Sequence, residues 1–411
     1  MLPSVIIGDF ENSQRKTHII FSDNTLTHNY SAMNLYSLCL FLASYIFLTS
    51  VFVTSGFSQT QQISFEDPAW DFTHAVESRV ETHKGRVSLY LEGKAFFDKT
   101  RFSDGIIEVD VTTTLPRAFA GMLFRIQSSA EYEEAYVRLH KSGSPDAVQY
   151  TPVFNDVAAW QLYGPDDGWG MAAFDRYEWI PLRIEFSRNQ IRVFAGQSNE
   201  AIVSTHLRRD VESGGLGLWG LFGAYFSNFR YTPSDTSDMR FTSPNPEPGV
   251  ITNWALSQAF RADDVNLAEA PAEGYTDWLE VKSESTGLVN LSRYLPDEDF
   301  RNMPDDGDFD AGQSALGAYA KSVITSESNQ IKKLHFGYSD NVVILLNGKP
   351  VYSGNSGFRS RDPLFQGMIG YHDAVFLDLK EGENKLVFTV TETFGGWGLM
   401  AKFDNLSGIR F

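Results

Sequence analysis

Apolar and polar residues alternate with a period of two along most of this chain, and that period decides what it can fold into. Val87-Ser88-Leu89-Tyr90-Leu91-Glu92, Ile107-Glu108-Val109-Asp110-Val111, Leu182-Arg183-Ile184-Glu185-Phe186 and Gln190-Ile191-Arg192-Val193-Phe194 each read this way. In an extended chain, successive side chains point to opposite faces, so each segment predicts a strand with one face on a core. Between them stand turn-forming clusters such as Ser142-Gly143-Ser144-Pro145, Gly164-Pro165-Asp166-Asp167-Gly168 and Ser187-Arg188-Asn189. No long stretch carries a capped apolar stripe of helical period. The fold class expected is all-β, as two β-sandwich (jelly-roll) domains joined by a Pro-rich linker.

The join is visible as a change of composition. Residues 60–232 form the first domain, and residues 253–411 the second. The intervening 233–252 contains Pro233-Ser234-Asp235 and Ser243-Pro244-Asn245-Pro246-Glu247-Pro248-Gly249, with little to bury and prolines that favour an extended linker. In the second domain, Asn341-Val342-Val343-Ile344-Leu345-Leu346 runs into Asn347-Gly348, the strongest short-range signal for a two-residue hairpin turn.

The N-terminus reads as an address. From Leu35 to Phe57 no residue is charged, and small residues (Thr54-Ser55-Gly56) then precede the polar stretch Gln59-Thr60-Gln61-Gln62. That order matches a secretory signal over 33–59, starting at Met33, with 1–32 as an over-long extension. An uncleaved membrane anchor is the alternative, since the apolar run is long enough to span a bilayer. Both readings export the rest, to the periplasm, the cell surface or the medium. The single cysteine, Cys39, lies in this segment, so its removal leaves a chain without disulfides or thiolate chemistry. The formal charge of -18 argues against phosphate backbones and anionic lipid as partners.

Three segments carry a family resemblance in the first domain. They are Phe102-Ser103-Asp104-Gly105-Ile106-Ile107-Glu108-Val109-Asp110, then Ala120-Gly121-Met122-Leu123-Phe124-Arg125 followed by Tyr136-Val137-Arg138-Leu139, and Gly215-Leu216-Gly217-Leu218-Trp219-Gly220 followed by Tyr225-Phe226-Ser227-Asn228-Phe229. The domain resembles the concanavalin A-like and laminin G-like jelly rolls, including the bacterial 3-keto-disaccharide hydrolase-like family. The second domain, through Gly337-Tyr338-Ser339-Asp340, Leu346-Asn347-Gly348 and Leu377-Asp378-Leu379-Lys380-Glu381-Gly382-Glu383-Asn384, resembles the galactose-binding-like sandwiches that accompany carbohydrate-active enzymes. Both resemblances imply glycan chemistry, and the second implies a structural calcium ion.

A jelly-roll glucanase strand needs Glu-x-Asp-x-x-Glu, which sets its carboxylates on one face. Here Glu108-Val109-Asp110 is followed at the third position by Thr113, so Glu108 and Asp110 are expected to line a solvated face. Glu131, Glu133 and Glu134 are expected at a water-exposed turn. Asp306, Asp308 and Asp310 alternate around Gly307 as oxygen ligands would, and they are the candidate calcium set beside a plain solvated loop. The histidines stand singly, without the spacing of a zinc site.

Sugar sites pair flat aromatics with carboxylates or amides. Trp169, with Asp166, Asp167, Trp160 and Tyr163 around one glycine-rich loop, is the expected ligand-binding set. Tyr338, Asp340, Arg359, Arg361, Asp362 and Trp397 form a second set, while Trp219 and Trp397 are expected mainly to pack. The expectation is an exported, non-catalytic carbohydrate-binding protein that needs no cofactor other than the candidate calcium. Its expected partners are a polysaccharide or oligosaccharide and carbohydrate-active enzymes. A glycoside hydrolase or lyase with a loop-borne site, and a structural or adhesive surface protein, are the alternatives.

Overall fold

The computed structural model describes residues 59–411 except 166, 211–212, 235–238, 240–241, 243, 273, 297–314 and 363. The signal-like segment, most of the prolyl stretch before Ser243, Asp166 and the candidate calcium ligands Asp306, Asp308 and Asp310 therefore lie outside the described residues. Among the described residues the regular structure is strand, with three short 3-10 turns, so the all-β expectation holds.

Two long strands build the first sandwich, Arg86–Phe102 and Gly214–Pro233. Each serves both layers. The first half of Gly214–Pro233 pairs with Phe119–Ser128, and the second half with Gly105–Thr112. Its register against Arg86–Phe102 breaks between Gly220 and Ala224, which lets both strands turn the corner from one layer to the other. The front sheet continues from Phe119–Ser128 through Glu131–Arg138 and Val148–Phe154 to Trp169–Gly170. The back sheet continues from Gly105–Thr112 through Ile180–Ser187 and Gln190–Ala195 to Val203–His206.

The alternation in the sequence explains which faces meet. Met122, Phe124, Ala135 and Val137 of the front sheet bury against Val109, Ile184, Phe186 and Val193 of the back. Phe124 and Phe186 are in ring contact across the layers at 4.7 Å. Glu108 and Asp110 fall on the outer face of the back sheet, as expected, and each meets a base: Arg230 holds Glu108 at 2.8 Å and Arg86 holds Asp110 at 2.6 Å.

The second sandwich sets an eight-stranded sheet against a four-stranded one. Phe336 and Phe388 pack edge to face between them at 5.8 Å, and Trp254 is edge to face with Phe388. The hairpin expected at Asn347-Gly348 is there: Leu346 pairs with Lys349, and both turn residues take positive φ (51° and 77°). The two sandwiches share one compact unit, Ser58–Phe411, and touch through the cluster Ala159, Leu162, Tyr163 and Leu288. The second half of the prolyl stretch ends on the second sandwich, where Ile251 N–H donates to the Ala401 carbonyl at 2.9 Å.

Candidate functional site

Residues paired across a sheet share a face, so one line of pairings across the front sheet names a continuous surface. Trp169 pairs with Gln149, Gln149 with Tyr136, Tyr136 with Gly121, Gly121 with Trp219, and Trp219 with Lys94. The first sandwich's core occupies the opposite face; on this face Trp219 and Lys94 keep partial exposure, while Trp169, Gln149 and Tyr136 are buried. A second line, Thr151, Glu134, Leu123, Gly217 and Phe96, runs beside it. The outer face of the front sheet thus combines two tryptophans, two tyrosine-class and amide hydrogen-bonding groups, and one carboxylate.

Each member has an identifiable support. Gly121 leaves room for the rings of Tyr136 and Trp219, which meet edge to face at 5.3 Å. The Tyr136 hydroxyl donates to Gln149 Oε1. Burial and the neighbouring Glu134 both push the Tyr136 hydroxyl pKa up, so it stays a donor. Burial alone would lower the Lys94 ammonium pKa, but Tyr132 and Asp156 outweigh it, and Lys94 Nζ sits 2.7 Å from Asp156. Arg138, two residues beyond Tyr136 on the same face, forms an ion pair with Asp146. Trp219 keeps partial exposure while resting on the small cluster of Phe96, Leu123, Tyr132 and Val153.

The expected ligand set splits. Trp169 and Trp160 belong to this face, and their rings stack at 6.4 Å with an interplanar angle of 22°. Trp169 is only 8% exposed, however, so it offers an edge rather than an open platform. Trp160 reaches the second sandwich, packing against Phe358 at 6.2 Å and Phe394 at 5.8 Å.

Tyr163 and Asp167 go elsewhere, into the seam. Tyr163 is 1% exposed, and its hydroxyl donates to Glu284 Oε1 at 2.7 Å. The buried Arg208 guanidinium lies 4.4 Å over the Tyr163 ring and bridges Asp167 and Glu284. Asp167 is therefore committed to a cation and to Thr205. A cavity of about 270 Å³ opens beside this bridge, lined by His206, Arg208, Arg209, Glu284 and Arg293 among others. Burial and the adjacent Arg208 push His206 down to about 4, so it is neutral at physiological pH.

Two further expectations change. The acidic cluster is no exposed turn, because Glu133 and Glu134 are 0% and 3% exposed within the strand Glu131–Arg138. Glu133 faces inward and accepts from Tyr150 Oη at 2.7 Å and the Arg209 amide at 3.0 Å. Glu131 is held by Arg209 and by the Asn155 amide. Arg209, far along the chain, holds Glu131 with its side chain and Glu133 with its amide, and no local pattern could announce that.

In the second sandwich Tyr338, Asp340 and Trp397 are 1–2% exposed, so they are core rather than surface. Asp340 accepts from the Thr393 hydroxyl at 2.6 Å and from the Thr393 and Phe394 amides. Arg361 pairs with Asp373, Arg359 lies over Phe358, and Asp362 accepts from the Leu364 amide. Among the described residues no group of three or more His, Cys, Asp or Glu is arranged to hold a metal ion.

No family model and no curated protein matches the chain. Among solved structures, a carbohydrate-binding module from Bacillus subtilis is 16% identical with a TM-score of 0.32, covering 40% of this chain and 95% of its own. A Bacillus licheniformis β-glucanase is 12% identical with a TM-score of 0.30, covering 44% of this chain and 99% of its own. The exoplasmic/lumenal domain of VIP36, bound to calcium and Man3GlcNAc, is 14% identical with a TM-score of 0.29, covering 43% of this chain and 86% of its own.

Proposed function

We propose that this protein recognises carbohydrate, non-catalytically, through the outer face of the front sheet. The observation that carries the reading is the line Trp169, Gln149, Tyr136, Trp219, Lys94 along one register of paired strands. A sugar ring offers an apolar C–H face and an equatorial rim of hydroxyls. This line offers the partly exposed Trp219 indole for the first and the partly exposed Lys94 ammonium for the second, with Tyr136 and Gln149 buried behind them. Asp146 is held by Arg138, so it stands as a positioned hydrogen-bond acceptor rather than a free general base. Such a protein works outside the cell, on polysaccharide at the surface or in the periplasm, beside carbohydrate-active enzymes. The uncharged N-terminal run and the acidic composition support that setting.

The test is affinity electrophoresis of the full chain in gels cast with plant, algal and bacterial polysaccharides. Retardation by at least one polysaccharide is expected, without release of reducing ends. Trp219→Ala should lose most of that retardation, while Trp278→Ala, whose indole is occupied by Lys321 at 3.9 Å on the other sandwich, should keep it. Migration unaltered by every polysaccharide would sink the reading.

A further inference from the structure

Resting on the carbohydrate reading, we infer that the glycan taken by this face is anionic, and that Arg117, Arg138 and Arg359 receive its carboxylate or sulfate group. One register step beyond Tyr136, Gly121 and Trp219, Arg138 pairs with Phe119 and Phe119 with Leu221, so Phe119 continues the same face. The Phe119 ring lies 5.9 Å from Trp219 and 6.2 Å from Tyr136, and it joins that aromatic pair to a cluster of cations. The Arg138 and Arg117 guanidiniums stand 5.5 and 5.9 Å from its centroid, and Arg117 also lies 4.8 Å over Phe222. Arg359 comes from the second sandwich. It rests 4.8 Å over the exposed ring of Phe358, which meets Trp160 at 6.2 Å. Its loop is anchored beside Arg138: the Arg359 amide donates to the Phe365 carbonyl at 2.9 Å, and the next residue, Gln366, donates through Nε2 to Asp146, the partner of Arg138.

Three guanidiniums from three separate segments repel one another unless a counter-charge lies among them. Asp146 answers Arg138. Burial first, and then Arg138 and Arg359, lower the Arg117 pKa, and no carboxylate is among the charges that act on it. His140, 5.0 Å from Phe119, is pushed down first by burial; its hydrogen bond to the Ala118 carbonyl opposes that, while Arg138, Arg117 and Lys141 add to it. The patch is thus positive in a chain whose formal charge is -18. The distant acids do not cancel it, because charges beyond about 8 Å are largely screened at physiological ionic strength. Arg117 and Arg359 are exposed and so reach a ligand in solvent. Each guanidinium presents N–H donors in a plane, which matches two oxygens of one carboxylate or sulfate, and such charge-assisted bonds are roughly twice as strong as neutral ones. A hydroxyl would accept one of these bonds and leave the repulsion among the cations in place. The neighbouring Trp219 indole takes the apolar face of the same sugar.

The experiment is calorimetric titration of the full chain with oligouronates of the gluco, manno and galacto series, each beside its methyl ester, and with a sulfated galactan oligosaccharide beside its desulfated form. Each pair shares a backbone and differs in charge. The expected result is that at least one anionic member binds about tenfold or more tighter than its neutral partner. A preference within a uronate pair assigns the carboxylate, and one within the galactan pair assigns the sulfate ester. Arg117→Gln and Arg359→Gln should each weaken the anionic ligand about tenfold and leave its neutral partner unchanged. Arg192→Gln makes the same charge change on the outer face of the back sheet and should bind as wild type. Circular dichroism confirms that each variant is folded. If the neutral and anionic members bind equally and Trp219→Ala abolishes both, the inference fails and the carbohydrate reading survives. Wild-type binding of the anionic ligand by both Arg117→Gln and Arg359→Gln has the same consequence, as does an equal loss in Arg192→Gln, which would mark a long-range charge effect rather than a site. Binding of no sugar at all removes the carbohydrate reading and this inference with it.

Discussion

The rings of Trp219 and Tyr136 meet edge to face, 5.3 Å between centroids and 73° between planes, directly above Gly121. Three strands contribute one residue each, and the middle one has no side chain. A Cβ placed on Gly121 would stand 2.7 Å from Tyr136 Cβ and 3.0 Å from the Ala135 carbonyl oxygen. Gly121→Ala must therefore push Tyr136 sideways or spread the strands. Overpacking of this kind costs about 1–3 kcal/mol, and here it also breaks the aromatic pair. Urea unfolding should show that loss, and polysaccharide retardation should weaken with it. A variant as stable as wild type with intact retardation would show that the Trp219–Tyr136 geometry is irrelevant to both.

The seam offers a second measurement. Arg208 is 1% exposed and holds Asp167 and Glu284, while Glu284 also accepts from Tyr163. Tyr163→Phe removes one hydrogen bond to a charged acceptor, worth about 1.5 kcal/mol. Arg208→Met strands two carboxylates. Because Asp167 and Glu284 keep 29% and 17% exposure, the expected cost is about 3 kcal/mol, the low end for a broken buried pair. Since the bridge spans the two sandwiches, Arg208→Met should also separate one unfolding transition into two. A single transition of unchanged midpoint would show that the bridge contributes nothing to coupling them.

How legible this was in the sequence depended on the range of the interactions involved. Period-two segments such as Ile107–Val111 and Leu182–Phe186 gave strands and faces, because alternation is a local consequence of pleating. The Asn347-Gly348 hairpin was readable for the same reason. The outer line was half-readable: Tyr132, Glu134, Tyr136 and Arg138 alternate within one strand and so share a face. What alternation could not supply was the partner strand. Trp219 read as packing because of its glycine neighbours in sequence, yet it is Gly121 on the adjacent strand that leaves the space in which its ring meets Tyr136. Glu133 read as exposed because Arg209 and Tyr150 lie far from it in sequence. Trp169 and Tyr163 read as one site because they share a loop, and the fold pairs Trp169 with Gln149 but hands Tyr163 to Glu284.

The last prediction concerns Glu392, which is fully buried beside Asp340. Its Oε1 accepts from the Gly396 amide at 2.9 Å. Burial first, and then the nearby Asp340 carboxylate, push Glu392 well above the ordinary carboxylate value. A carboxyl group with a raised folded pKa binds its proton more tightly folded than unfolded. Its stabilising contribution is complete below the ordinary value near 4.5 and is lost as pH rises toward the folded value. Glu392→Gln keeps the acceptor for Gly396 and carries no charge at any pH. The variant should match wild type near pH 4 and become progressively more stable than it as pH rises above the ordinary carboxylate value, by about 1.4 kcal/mol per pH unit until the folded value is reached. Thermal unfolding of both proteins from pH 4 to pH 9 reads this directly. A constant difference between the two curves would show that Glu392 is not held protonated by the fold.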